Sequence, residues 1–282
     1  MNIAVIGANT IGSGVAHVAA LGDHMVALYD LNPAILKTAQ ERIARNLDKG
    51  VSLGKHTPEE AAKAKAAILP TTQLENCAEA DFIIEVGPEK LDIKKKLAEK
   101  LDSMTPERVI YATHTESISL TVIASAAQRF PGRVVGMHFF DPVHIVKQVE
   151  VVRADQSTQT AIDQAVLLAR TMEKEVIVVR DTPGFLVNRV AQVYTREALY
   201  LLGEGHVDAE TIDRLMVSLD FRQGPFQWVD TLGIDTHLTQ MEQLYQATGE
   251  APRFRPHQLL RKMVRANRLG RKTKQGFHKY DE

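Results

Sequence analysis

Cysteine is nearly absent: Cys77 stands alone among 282 residues. An intramolecular disulfide and a multi-cysteine zinc site are therefore excluded, no metal centre is expected, and a reducing compartment fits best. Excess charge is missing too. The formal net charge is −1, which calls for neither nucleic acid nor an anionic membrane as partner. One stretch, 261–274, does carry seven cations and no acid. It lacks the interleaved aromatics of a nucleic-acid surface, so a solvated face or a contact to small-molecule phosphates is expected. Long hydrophobic runs are also lacking, and none approaches the roughly 20 residues of a membrane span. No basic segment precedes the first apolar run, as it would in a secretory leader. Together these absences predict a cytoplasmic protein without a membrane or nucleic-acid partner.

What remains is ordinary enzyme composition, 44% hydrophobic and 24% charged, on a chain long enough for two domains. Residues 2–6 form a strand-like apolar run, followed by glycine, a helical pattern over 12–21 and a second strand over 25–29 ending at Asp30. This is the opening of a βαβ unit. Further strand-length runs occur at 82–86, 109–112, 134–137, 149–152 and 176–179, with charged helical stretches over 91–101 and 158–173. Such alternation predicts a mostly parallel sheet covered on both faces. Residues 34–65 read as a strandless helical hairpin, broken over 50–58 and inserted after the second strand. The breaker cluster Asp181-Thr182-Pro183-Gly184 ends this pattern. Beyond it, helical periodicity runs over 187–202, 209–219, 226–247 and 257–266. The fold class is thus α/β: a Rossmann-like doubly wound domain over 1–183, then an all-α domain over 184–282.

The segment Gly7-Ala8-Asn9-Thr10-Ile11-Gly12 occupies the place of a Gly-x-Gly-x-x-Gly fingerprint, with Asn9 at the second glycine. The first glycine permits the tight turn and the last lets helix and strand pack closely. The pyrophosphate of a dinucleotide rests on the helix N-terminus between them. Asparagine tolerates left-handed backbone angles, so Asn9 can hold the turn, but its side chain is expected to crowd the phosphates. Asp30 ends the second strand, where an acid bonds the adenosine ribose. Leu31 follows it instead of a basic residue, so NAD is expected over NADP.

Farther along stand Gly136-Met137-His138-Phe139-Phe140-Asp141-Pro142-Val143 and Val149-Glu150-Val151-Val152. Asp181 through Arg189, Gly224-Pro225-Phe226, and Gly270-Arg271-Lys272-Thr273 through Gly276-Phe277 follow in order. Over its whole length the chain resembles the 3-hydroxyacyl-CoA dehydrogenases. The resemblance implies hydride exchange between NAD and the 3-position of a short 3-hydroxyacyl-CoA, in a homodimer joined through the C-terminal domain. It implies that His138 is the base, Glu150 its partner, and Asn188 a neighbour of the substrate. Glu89, Lys94 and Lys272 fall on cofactor contacts. The chemistry agrees, because removing hydride from a secondary alcohol needs a base for the hydroxyl proton. A carboxylate on the other ring nitrogen fixes the tautomer and stabilises the imidazolium. Lys49 and Lys55, in the inserted hairpin, are candidates for the phosphates of CoA.

Four polar residues depart from the family pattern. Where its members usually read Asn-Thr-Ser-Ser, this chain reads His114-Thr115-Glu116-Ser117. Asp141 replaces the asparagine of His-Phe-Phe-Asn-Pro, and Asn9 replaces a glycine. Glu116 and Asp141 thus stand at positions facing cofactor, and Glu116 and Ser117 at positions facing substrate. An ionised Glu116 there sets like charge where an alkoxide develops, and Ser117 can take over the missing hydroxyl. Two other readings stay open: a relative acting on a 3-hydroxy acid without CoA, and a non-catalytic protein that binds NAD or CoA.

Overall fold

The computed structural model describes residues 1–280 and divides into two compact units, Met1–Thr182 and Pro183 onward. The first unit runs β1 (Asn2–Ile6), α1 (Thr10–Leu21), β2 (Met25–Tyr29), α2 (Pro33–Ser52), α3 (Pro58–Ala66) and β3 (Ile68–Thr71). It continues with β4 (Phe82–Glu85), α4 (Leu91–Met104), β5 (Ile110–Thr113), α5 (Leu120–Ala124), β6 (Val134–Phe139), β7 (Gln148–Arg153), α6 (Gln159–Thr171) and β8 (Glu175–Arg180). The strands form one sheet in the order β3-β2-β1-β4-β5-β6-β7-β8. All neighbours are parallel except β6 and β7. Strands β4, β5 and β6 are buried along their full length, which is why they read as continuous apolar runs: both sheet faces are covered.

β3 has no counterpart in the sequence-based reading. It has four residues, includes Pro70 and leaves Leu69 largely exposed. Proline cannot donate to a ladder, so it is tolerated here because β3 is an edge strand. The sheet order reverses at β1, which has β2 on one side and β4 on the other. Open α/β sheets bind ligands at the carboxyl ends of their strands beside such a switch.

The second unit carries α7 (Val187–Gly203), α8 (Ala209–Ser218), α9 (Pro225–Leu232), α10 (Ile234–Ala247) and α11 (Gln258–Arg265). Its core gathers Leu199, Phe226, Ile234, Met241 and Leu260. The single helix expected over 226–247 is two. Gly233 interrupts it at φ +98°, and a β-carbon there would meet the Lys272 side chain at 2.5 Å. The positive φ is what calls for glycine here.

Candidate active site

The glycine turn is built at the switch point. Gly7 adopts φ +106°, and a β-carbon on Gly12 would lie 1.8 Å from the Gly7 carbonyl oxygen, so the α1 N-terminus packs directly on the turn. Asn9 does not use a left-handed conformation; its φ of −67° and ψ of −168° are extended. It caps α1 instead. Its Oδ1 accepts from the Gly12 amide at 2.9 Å, while its Nδ2 donates to the Val86 carbonyl at 2.6 Å. The carboxamide is thereby folded back onto the helix end. It does occupy the Gly12 amide. Thr10 and Ile11 open the helix, where amides have no intrahelical acceptor. Asp30 is tied to the same turn: Oδ2 accepts from the Ala8 amide and Oδ1 from the Asn32 amide, each at 3.0 Å. A tight glycine turn, an open helix N-terminus and a fixed acid at the end of β2 fit a dinucleotide.

The catalytic candidates meet across the one antiparallel pair. In the β6–β7 register His138 lies opposite Glu150, and directly opposed residues project to the same face. His138 Nδ1 stands 2.6 Å from Glu150 Oε2, and both side chains are buried. Because a carboxylate only accepts, the imidazole proton sits on Nδ1 and the basic lone pair on Nε2. His114 flanks the pair, its ring centroid 5.4 Å from that of His138. Its Nδ1 accepts from the Phe139 amide at 3.2 Å, so the neutral ring carries its proton on Nε2. Burial, then the neighbouring His138 and Lys94, hold the His114 pKa well below the usual imidazole range.

Lys94, expected as a cofactor contact, points inward and is buried. Its ammonium donates to both Glu85 oxygens at 3.0 Å and to the His114 carbonyl at 2.7 Å. Thr113 and the Gly87 amide also donate to Glu85, each at 2.5 Å. An isolated buried charge is very costly, whereas this pair is matched and bonded on several sides. Lys94 therefore holds the end of β5 beside His138 and does not reach for a ligand. The sequence-based reading missed Glu85. Its signal was an acid closing the apolar strand Phe82–Glu85, a position that demands a partner.

Glu89 also turns toward the protein. Its Oε1 accepts from the Thr115 hydroxyl at 2.6 Å and from the Glu116 amide, Ser117 amide and Ser117 hydroxyl at 3.0 Å. The expectation that Ser117 supplies the missing hydroxyl is corrected here, because its one donor is spent on Glu89. Glu116 is half-buried on the same loop. Asp141 is exposed at the end of β6 and precedes Pro142 in a cis peptide.

Lys49 and Lys55 lie elsewhere in the first unit, on a cleft of about 740 Å³ between the α2–α3 hairpin, α1 and the β6–β7 connection. His17, His56, His144 and Lys174 line it with them. No periodicity or spacing marked those residues. In the second unit, Asn188 is half-buried in the first turn of α7. Lys272, another expected cofactor contact, donates to both Asp235 oxygens at 2.9 and 3.1 Å and to Thr236 at 2.9 Å. Its ammonium is committed within its own unit.

Comparison with known proteins bears on both units. The family model for the NAD binding domain of 3-hydroxyacyl-CoA dehydrogenase matches residues 2–182, and the model for that family's C-terminal domain matches 184–280. A probable 3-hydroxybutyryl-CoA dehydrogenase of Bacillus subtilis is 38% identical, with 99% of this chain and 97% of that protein aligned. The 3-hydroxybutyryl-CoA dehydrogenase of Clostridioides difficile is 36% identical over 100% of both chains. The crystal structure of (S)-3-hydroxybutyryl-CoA dehydrogenase from Ralstonia eutropha superposes with a TM-score of 0.94 at 35% identity, covering 100% of this chain and 99% of that one.

Proposed function

Because the chain belongs to the 3-hydroxyacyl-CoA dehydrogenase family, it is an NAD-dependent oxidoreductase of 3-hydroxyacyl-CoA substrates, and we propose that it prefers a short acyl chain with His138 as the base. The buried His138–Glu150 pair at 2.6 Å carries the proposal. His138 Nε2 takes the proton of the substrate hydroxyl, and Glu150 stabilises the imidazolium that results. NAD, when bound, supplies the hydride acceptor. Gly7, Thr10 and Ile11 would hold its pyrophosphate, with Asp30 on the adenosine ribose. Asn188 is proposed to contact the substrate, with Lys49 and Lys55 serving the phosphates of CoA. The short chain is supported by the two bacterial relatives named as 3-hydroxybutyryl-CoA dehydrogenases.

A homodimer through the second unit is also proposed. Its support is the apolar surface that α7 leaves exposed at Val190, Val193 and Leu201. Sedimentation of a monomer at micromolar concentration would overturn it. We propose the cytoplasm as its compartment, on the strength of the lone, buried Cys77; no helix among the described residues is long and apolar enough to cross a membrane. The main test follows NADH absorbance with acetoacetyl-CoA and then with free acetoacetate. Oxidation with the CoA ester alone is the expected result. Turnover of the free acid alone selects a CoA-independent relative, and turnover of neither selects a binding protein.

A further inference from the structure

We propose that His144, stacked on His17, is a specificity-determining contact for the phosphate-bearing end of the ligand in the hairpin cleft, and that it takes up a proton when that end binds. This deepens the reading of the substrate as an acyl-CoA and rests on it.

His17 and His144 stack face to face. Their ring centroids are 5.3 Å apart with planes 15° from parallel. His17, in the middle of α1, is only 2% exposed, yet neither of its ring nitrogens has a hydrogen-bond partner. A buried polar group normally has one, and both rings line the cleft. His144 is half-buried on the connection between β6 and β7. The buried Lys174 fixes that connection: its ammonium donates to the Val146 carbonyl at 2.8 Å and to the Val143 carbonyl. The stack is thus built on a clamped turn over the α1 helix, on the wall of a cleft large enough for a ligand.

Charge around the stack is predominantly positive. The α2–α3 hairpin contributes Lys49, Lys55, His56 and Lys63, with Glu60 as its acid on the cleft. Lys63 is already paired with Asp23 of the α1–β2 turn at 2.7 Å. The α6–β8 turn contributes Lys174 beside Glu173, and the β6–β7 connection adds Lys147. Asp141, at the start of that connection, acts on His144 in the opposite sense to the lysines. Burial, then His144, His56 and Lys174, lower the His17 pKa to about 4. Burial is also the main cause lowering His144, with Lys174, Lys55 and Lys49 adding to it against Asp141. Burial brings Lys174 itself down to about 8.

The sign follows. Without ligand the stack is neutral at pH 7, because a proton there faces desolvation and several cations. A phosphate bound among Lys49, Lys55 and His144 cancels that repulsion and favours the imidazolium. Binding therefore draws in a proton, and affinity rises as pH falls from 7 toward 6. A phosphate monoester has its own pKa near 6. In a cationic site it gives up its proton, so net uptake reports the protein.

The experiment titrates the full-length protein with coenzyme A at pH 7.0, by calorimetry in two buffers of different ionisation enthalpy. Net uptake approaching about one proton per site is expected, with affinity rising by up to about tenfold per pH unit. His144→Gln should still bind coenzyme A through the lysines but lose the uptake. If that variant does not fold, the histidine ring-proton NMR signals of the unsubstituted protein decide: bound coenzyme A should move a histidine titration to higher pH. Zero or negative uptake, uptake unchanged by His144→Gln, or histidine titrations indifferent to coenzyme A would overturn the inference and leave the proposed substrate standing. Absence of coenzyme A binding at every pH, with NAD still bound, would overturn both.

Discussion

Glu150 in the first unit and Asp230 in the second are both fully withdrawn from solvent, but different donors keep them there. Asp230 accepts from the Phe277 amide at 3.0 Å and from the His278 amide and Tyr280 hydroxyl at 2.9 Å. A β-carbon on Gly276 would fall 2.0 Å from its Oδ1, so the 270–280 segment is moulded around this one carboxylate. Backbone amides do not exchange their protons during turnover. Burial and the adjoining Asp230 push the Tyr280 phenol upward, which keeps that donor protonated as well. Glu150 faces the imidazole of His138, the group proposed to take the substrate's proton. Burial alone does not distinguish architecture from chemistry; the donor's ability to titrate does.

The largest expected effect tests that distinction directly. Glu150→Gln should lower kcat by about 10²–10⁴-fold, the usual range for general acid–base assistance, with little change in melting temperature. Asp230→Ala should do the converse, stranding several donors at about 1–3 kcal/mol each. Its melting temperature should fall by many degrees, while kcat of the protein still folded stays within a few-fold. Thermal denaturation and steady-state kinetics on both variants break the comparison if Glu150→Gln unfolds the protein or Asp230→Ala leaves its melting unchanged.

A smaller effect is expected at the loop beside His138. Glu116→Ser should restore a donor to the substrate oxygen and remove a misplaced charge. Such donors are commonly worth about 2.7–4 kcal/mol, so a rise of at least ~10-fold in kcat/KM with acetoacetyl-CoA is a conservative expectation. His138→Ala in the same background should abolish the gain. A loss of activity toward every hydroxyacyl-CoA would instead assign the Glu116 carboxylate to the catalytic machinery. The smallest effect concerns Asp30, whose proposed place on the adenosine ribose would set its charge against a 2′-phosphate. NAD should bind at least about tenfold, or about 1.4 kcal/mol, more tightly than NADP, and equal affinities by calorimetry would remove Asp30 from that role.

What the sequence made legible was whatever depends on backbone pattern. The Gly7 turn follows from apolar strand, glycine and helix in succession. That Glu150 needs a partner follows from an acid alternating with valines in Val149-Glu150-Val151, while its pairing with His138 came from the family resemblance. Side-chain direction was not legible. Asn9 finds its partner at Val86, 77 positions away, and nothing in the local pattern announces that. Lys94 sits in a charged helix whose other lysines, Lys95, Lys96 and Lys100, are not buried, and only the fold turns it onto Glu85. Ser117 is spent on Glu89 because two loops meet, a fact of tertiary structure alone.

The antiparallel pairing of β6 and β7 also governs how this protein can change over generations. One residue inserted within either strand would flip every later side chain to the opposite sheet face, parting His138 from Glu150 at a stroke. Residues 144–147, past the family motif that ends at Val143, lie outside that ladder and begin with His144. Evolution can therefore lengthen, shorten or rewrite the segment proposed to meet the ligand's far end while His138 and Glu150 keep their alignment. Drift in what the protein accepts should accumulate there first.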